Sequence, residues 1–213
     1  MIKAPGQRTR ARRLQEKARH DHASGQAVRD AMPLAHAGHL VDGAPVVTPT
    51  LQRRERDRVC WHGSSAGRMI RACAAAQVRL TVTRVDGLVL ARSGLEHSVA
   101  HRCVMVFGVA EPVPDAARPA HPEAMRQRLV PGRWPLLRPM TAQDIKATAV
   151  LSLPVDKASG KIGAGVPSDP EADMGWPVWA GVVPLRLQMD PPQAGPGCQP
   201  GLPEPKARFG ETR

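Results

Sequence analysis

The sequence predicts a mainly β fold of the α+β class, in which about seven or eight strands form one antiparallel barrel with short helices between them. Two observations lead to this prediction. Apolar runs of strand length recur along the 213 residues, separated by turns rich in Gly, Pro and Asp. Two of these separators, Asp42-Gly43 and Asp86-Gly87, are Asp-Gly pairs between apolar runs, the strongest short signal of a hairpin.

Local patterns assign the elements in chain order. Predicted strands cover residues 34–41, 44–51, 59–62, 78–83, 88–91, 102–110, 148–155 and 178–187. Predicted helices cover residues 25–32, 69–76 and 122–129, and another opens at 141–144. Ser24 and Thr141 are expected to cap two of these helices, and Asp144 completes a capping box with Thr141. A charged turn is expected over residues 53–58, a loop over 156–177, and a second hairpin turn at Asp86-Gly87.

Charge and composition divide the chain into three predicted regions. Residues 1–20 hold seven basic side chains and one acid, a net charge of +6 out of +11, and are expected to form a flexible arm. Residues 21–188 form the folded domain. Residues 189–213 contain six prolines and no net charge, so a disordered tail is expected. Because the chain has no Tyr and two Phe, it offers few platforms for base stacking, and nucleic-acid binding is disfavoured.

The cysteines and the hydropathy pattern indicate a cytoplasmic protein. Four cysteines are scattered without a CxxC pair, which favours free thiols in a reducing compartment. No apolar run approaches membrane-spanning length, and the N-terminus lacks the apolar stretch of a secretory signal. No metal site is expected, because no carboxylate or cysteine completes a ligand set with the paired histidines His20 and His22, His36 and His39, or His97 and His101.

The tract WHGSSAGRM at residues 61–69 predicts a phosphate-binding turn between a strand and a helix. Hydroxyls of Ser64 and Ser65, backbone N–H groups of the helix start and the Arg68 guanidinium all favour an anion. The spacing matches neither GxGxxG nor GxxxxGK[ST]. The alternative from local chemistry is that the serines only cap the helix and complete its turn.

Several long tracts in the same order resemble the pyridoxamine 5′-phosphate oxidase-like family, in the branch related to nitroimidazole-resistance proteins. The resemblance extends over about residues 19–187, and its tracts are 39–51, 62–69, 86–93, 102–108, 129–134 and 177–185. It implies a Greek-key split β-barrel that binds FMN, as a homodimer with the flavin at the subunit interface.

The resemblance also implies the roles of individual residues. Ser64, Ser65 and Arg68 would bind the FMN phosphate, and His62 would lie near the ribityl chain or the ring edge. Residues flanking the ring would be Val47, Thr48, Pro49 and Thr50. The remaining expected cofactor-site residues are Gly63, Met69, Thr81 and Trp179, of which Trp179 fits a core position equally well.

The expected activity is hydride transfer between a small organic substrate and flavin N5. The chain departs from its relatives at Gln52, where they commonly carry Tyr, and at residues 100–103, which read Ala-His-Arg-Cys instead of Asn-Tyr-Arg-Ser. His101 is therefore the candidate proton donor. The alternatives are a deazaflavin in place of FMN, and a non-enzymatic flavin- or haem-binding protein acting in storage, sensing or detoxification.

Overall fold

The computed structural model describes residues 18–19 and 30–209. Ser24, His20, His22, most of the predicted helix at 25–32 and most of the basic arm lie outside these residues. The described residues form ten strands: β1 (Ala18–Arg19), β2 (Leu34–Val41), β3 (Ala44–Glu55), β4 (Arg58–Ser64), β5 (Gln77–Leu90), β6 (Ser98–Val109), β7 (Glu111–Pro112), β8 (Thr148–Pro154), β9 (Ala158–Gly163) and β10 (Gly181–Pro184). Their helices are α1 (Arg68–Cys73), α2 (Ala120–Leu129) and α3 (Ala142–Ala147), with 3₁₀ turns at Trp134–Leu136 and Glu171–Asp173.

The named strands pair antiparallel in the order β1-β9-β6-β5-β2-β3-β4-β8-β7, and β10 pairs with β5. Strand β3 belongs to two parts of this sheet, because residues 44–51 pair with β2 while residues 52–55 pair with β4. We call the part from β1 to β2 and the start of β3 the first sheet, and the end of β3 with β4, β8 and β7 the second sheet. The curled antiparallel sheet with few short helices confirms the predicted fold class.

The barrel core lies between these two sheets. Trp61 of β4 is fully buried and faces Leu151 of β8 and Gln52 of β3, its neighbours in register. The amide of Gln52 donates to the carbonyl of Met32 at 2.6 Å, which offsets the cost of burying a polar side chain. The remaining core is aliphatic, with Leu80, Val82, Val104 and Leu153 among its buried members.

The first predicted hairpin is confirmed. Strands β2 and β3 pair from Leu34–Leu51 to Val41–Ala44 around a two-residue turn. Asp42 and Gly43 have φ angles of 50° and 80°, the left-handed conformation that such a turn requires and that Asp-Gly adopts readily.

The second predicted hairpin turn is wrong, because Asp86-Gly87 lies inside β5 at an irregularity between Val85 and Gly87. The Asp86 carboxylate accepts two hydrogen bonds of 2.8 Å from Arg102 on β6. A Cβ at Gly87 would lie 2.8 Å from the carbonyl oxygen of Val183 on β10. Glycine is needed here for close strand approach, and the chain reverses later, between β5 and β6.

Other elements differ from the prediction in extent. Helix α1 ends at Cys73 instead of residue 76, because Ala75 has a φ of 57°. The segment predicted as a loop at 156–177 contains β9, and β10 covers only part of the predicted 178–187 strand. The capping box of Thr141 and Asp144 is confirmed.

Two further expectations concern the C-terminal tail and membrane-spanning segments. Residues 189–209 contain no helix or strand, and the backbone N–H of Arg208 donates to the Leu129 carbonyl at 2.6 Å. Within the described ranges, no helix is long and apolar enough to cross a bilayer.

Candidate functional site

The turn between β4 and α1 is held by backbone hydrogen bonds. The N–H of Gly67 donates to the Ser64 carbonyl at 2.8 Å, and the N–H of Ser65 donates to the carbonyl of Ala147 at the end of α3, also at 2.8 Å. The Ser64 hydroxyl accepts from the N–H of Ala66 at 3.3 Å. The helix itself begins after Gly67, which provides no side-chain cap. The expectation that a serine caps the helix is therefore wrong, whereas Ser64 does take part in the turn.

The positive charge at this turn comes from Arg68. Its side chain is exposed, and in the part of the chain that the structure describes no ion pair involves it. Helix α1 has only six residues, so its dipole contributes little. Exposed hydroxyls of Ser64 and Ser65 beside an uncompensated guanidinium form a surface suited to an anion. We call residues 63–68 the anion turn.

Gly63 and Met69 position this turn by packing. A Cβ at Gly63 would lie 2.9 Å from Cγ1 of Ile70 and 3.7 Å from Cε of Met69. Met69 packs against the barrel core. Glycine at position 63 thus lets α1 lie directly on the end of β4.

The four expected ring-flanking residues lie on two faces of β3, because successive strand side chains point to opposite faces. Thr48 and Thr50 are opposite Ala37 and Ala35, which are buried in the core. Val47 and Pro49 point the other way, and Val47 is 66% exposed. Only Val47 and Pro49 therefore present side chains to a ligand on the outer surface.

Thr81 lies on the same outer surface as Val47 and Pro49. In register, Thr81 of β5 is opposite His36 of β2, which is opposite Pro49 of β3. The next row joins Arg79, Gly38 and Val47 in the same way, and the Arg79 guanidinium lies 4.6 Å from the centroid of the Phe107 ring. We call this surface the β3 face; its residues are His36, Gly38, Val47, Pro49, Arg79 and Thr81.

His101 shares this side of the first sheet. It is opposite Val85, four positions along β5 from Thr81, which corresponds to roughly 13 Å along the strand. Its Nδ1 lies 2.9 Å from the carbonyl oxygen of Val99. Since a carbonyl can only accept, Nδ1 carries the proton and Nε2 is the basic nitrogen of the neutral ring.

Trp179 is neither core nor part of the β3 face. The residue is 63% exposed, and its ring lies against the backbone of Gly181, where a Cβ would be 2.9 Å from two ring carbons. The expectation of a core position for Trp179 is wrong.

His62 lies in a separate cavity on the outer face of the second sheet. Trp61 points into the barrel, so His62 points away from it, on the side that α2 and residues 134–140 cover. The cavity has a volume of about 380 Å³ and is lined by His62, Pro122, Arg126, Trp134, Leu137, Arg138, Met140, Asp144 and Thr148. We call it the His62 cavity. Its described lining includes neither the serines of the anion turn nor Arg68.

The electrostatics of this cavity keep the imidazole neutral. Burial first, and the positive charge of Arg126 second, lower the pKa of His62 from its ordinary value of 6.5. A neutral imidazole is the form that donates a lone pair to a metal or accepts a hydrogen bond. Arg138 forms hydrogen bonds of 2.6 and 3.2 Å with Asp144 at the rim.

A second small cluster lies beside His62. One ligand atom each from Glu55, Cys60 and His121 lie within 4.8 Å of one another. The Arg53 guanidinium donates to the Glu55 carboxylate at 2.7 Å and lies 3.4 Å from Nδ1 of His121. Arg53 therefore already balances the charge of Glu55. This cluster was not predicted, because His121 lies more than sixty residues along the chain from Glu55 and Cys60.

The chain was compared with protein-family models and with curated proteins. A family model described as pyridoxamine 5′-phosphate oxidase matches residues 21–162. Comparison with curated proteins gives no match.

Solved structures resemble the chain over most of its length. The flavocytochrome Anf3 from Azotobacter vinelandii is 43% identical, with a TM-score of 0.93 over 97% of this chain and 99% of that one. A FAD and heme binding protein from Mycobacterium smegmatis is 35% identical, with a TM-score of 0.85 over 89% and 94%. A Bacteroides thetaiotaomicron protein with a proposed role in 5-nitroimidazole antibiotic resistance shares the fold at 16% identity, with a TM-score of 0.56 over 68% and 86%.

Proposed function

Because the chain belongs to the pyridoxamine 5′-phosphate oxidase family, we propose that it binds a flavin nucleotide and acts as a flavin-dependent oxidoreductase on a small organic substrate. The ligand is FMN or the FMN half of FAD, which share the ring, the ribityl chain and the 5′-phosphate. FAD is named for the Mycobacterium smegmatis relative.

One observation carries the proposal: the anion turn presents two exposed hydroxyls and a guanidinium without an ion-pair partner among the described residues. An exposed guanidinium that no carboxylate of the described residues pairs with is suited to bind a phosphate. We assign the flavin phosphate to Ser64, Ser65 and Arg68, since hydrogen bonds to a charged phosphate are stronger than those between neutral groups.

We assign the flavin ring to the β3 face. Val47 and Pro49 supply apolar contact, Thr81 supplies a hydroxyl, and Gly38 leaves room for a planar group between them. A side chain as exposed as Val47, at 66%, leaves the ring open to water on the far side. A second copy of the chain would cover it, which is the homodimer that the family resemblance implies.

A bound flavin supplies hydride chemistry at N5. The contribution of this chain is to hold the phosphate, to flank the ring and to supply a proton. His101 is the candidate for this proton transfer: Nδ1 bonds the Val99 carbonyl, so Nε2 is the nitrogen that can take up a proton and then pass it on.

The proposal is tested by comparing FMN with riboflavin in a fluorescence titration. Arg68→Ala is expected to weaken FMN binding by about 10- to 100-fold, the worth of a charge-assisted hydrogen bond, and to leave riboflavin binding unchanged. Arg71→Ala is the matched control, an exposed arginine in the same helix. Equal losses for both ligands would overturn the phosphate assignment.

Turnover separates an oxidoreductase from a carrier. The bound flavin is reduced anaerobically with dithionite or NAD(P)H, and oxygen, nitro compounds and pyridoxamine phosphate are then offered. Reoxidation faster than that of free flavin supports an enzyme, and reoxidation at the free-flavin rate with every acceptor contradicts one.

A second function, haem binding, has its own supporting observation. Two relatives that align with most of the chain, at 43% and 35% identity, are named as a flavocytochrome and as a FAD and heme binding protein. We propose that this chain also binds haem.

A further inference from the structure

We propose that the haem lies in the His62 cavity, with the His62 imidazole as an iron ligand, on a different face of the barrel from the flavin. This assignment rests on the haem binding proposed above. It concerns the second sheet alone and needs no contribution from the anion turn or the β3 face.

The size and lining of the cavity fit a planar apolar macrocycle. Its volume of about 380 Å³ is within the range of about 300–1,000 Å³ typical of small-molecule and cofactor sites. Pro122, Trp134, Leu137 and Met140 give it apolar walls. The segment between β7 and β8 contributes most of the described lining residues, so the walls of the cavity come from one chain.

The charges fit the two carboxylates of haem. Arg126 and Arg138 both line the cavity. Arg138 already pairs with Asp144, whereas Arg126 is exposed and, among the described residues, has no ion-pair partner. Arg126 is therefore the stronger candidate to bind a propionate group.

His62 has the position expected of an iron ligand. Among the described lining residues it is the one that offers a nitrogen lone pair. The same side chain borders a second cavity of about 10 Å³, together with Arg53, Cys60 and His121. That volume is about the room needed by one water. Ligating histidines commonly donate their other N–H to a carboxylate, carbonyl or water, and this space has room for a water in that position.

The test is a hemin titration followed by the Soret band, with wild-type protein, His62→Gly and His97→Gly. Wild type is expected to saturate with one hemin per chain. His62→Gly is expected to bind hemin about tenfold or more weakly, with a shifted Soret band, because the iron loses its imidazole. Added imidazole should restore the wild-type band in this variant. His97→Gly, which changes an exposed histidine outside the cavity, should behave as wild type.

The outcomes distinguish a failure of the His62 site from a failure of haem binding itself. A wild-type affinity and spectrum for His62→Gly would overturn the site while leaving haem binding intact. Absence of saturable hemin binding by wild type would overturn both, and FMN titration of the same sample would show whether the flavin proposal stands.

A second variant tests the site if His62→Gly does not fold. Arg126→Glu changes an exposed side chain and is expected to weaken hemin binding about tenfold through the propionates. The loss should disappear with hemin dimethyl ester, which lacks the carboxylates. Equal affinity of Arg126→Glu and wild type for hemin would contradict the assignment.

Discussion

The β3 face and the His62 cavity lie on the outer surfaces of two sheets of one barrel, yet the first is an exposed sheet face and the second is a pocket partly covered by α2 and residues 134–140. Val47 at the centre of the β3 face is 66% exposed. His62 lies in a cavity of about 380 Å³ beneath α2 and residues 134–140. One barrel thus presents two kinds of surface, an exposed sheet face and a pocket walled by the chain's own connecting segment.

The connections between strands produce this difference. Strands β2 and β3 are joined by two residues, so nothing from that connection reaches across the outer face of the first sheet. Strands β7 and β8 are joined by residues 113–147, which carry α2, a 3₁₀ turn and α3 across the second sheet. An open face with apolar side chains is suited to a second copy of the chain.

The substitution with the largest expected effect should disrupt the β3 face and the His62 cavity together. Trp61 is fully buried between the two sheets, so Trp61→Ala should lower the free energy of unfolding by about 3–5 kcal/mol in urea titrations. Binding of FMN and of hemin should then fail in parallel with unfolding. Trp176→Ala, at a residue 68% exposed, is the control and should leave stability nearly unchanged. A small loss for Trp61→Ala would mean that the sheets are not held by a shared core.

A smaller change should affect the open region alone. Val47→Glu is expected to change stability by at most about 0.5 kcal/mol, because the side chain is exposed. It should weaken FMN binding and dimer formation, since a carboxylate would be buried against the ring or the partner. Fluorescence titration and light scattering measure the two effects, and hemin binding should not change.

Val166→Glu is the matched control for Val47→Glu. Val166 is 80% exposed, lies in the loop after β9 and is not one of the residues of the β3 face. If both variants bind FMN and dimerise as wild type does, the β3 face is neither the ring site nor the interface.

The smallest effect concerns a thiol that belongs to neither region. Burial raises the pKa of Cys73 from 9.0 to about 11, so at pH 8 its thiolate fraction is about a hundredfold below that of an ordinary thiol. Exposed Cys198 should react with a thiol reagent at once, and Cys73 only on unfolding. The same shift removes stability as pH rises above 9.0, where the thiol ionises in the unfolded chain first. Equal labelling rates for the two thiols would contradict the packing of α1.

The sequence predicts the elements whose chemistry is local. Asp42 and Gly43 adopt left-handed conformations that two residues determine by themselves, and the Thr141 capping box spans four. Asp86-Gly87 carries the same pair, but its conformation depends on Arg102 and on the Val183 carbonyl, which lies nearly a hundred residues away. A pattern of neighbouring residues does not reveal contacts between residues so far apart in the sequence.

The candidate site shows the same limit. Adjacency in the sequence groups His62 with Ser64 and Ser65, whereas the covering segment gives His62 a cavity whose described lining does not include these serines. Alternation also assigns Thr48 to the core side of β3 and Val47 to the outer side. The first distinction needed knowledge of where residues 113–147 run, and the second needed the strand register.

The central claim, that one chain carries two independent cofactor sites, is tested most directly by titrating Arg68→Ala and His62→Gly each with FMN and with hemin. We expect Arg68→Ala to lose FMN affinity and keep wild-type hemin binding, and His62→Gly to lose hemin affinity and keep wild-type FMN binding. Parallel loss of both ligands in either folded variant would contradict it, because a single shared site would then explain the data.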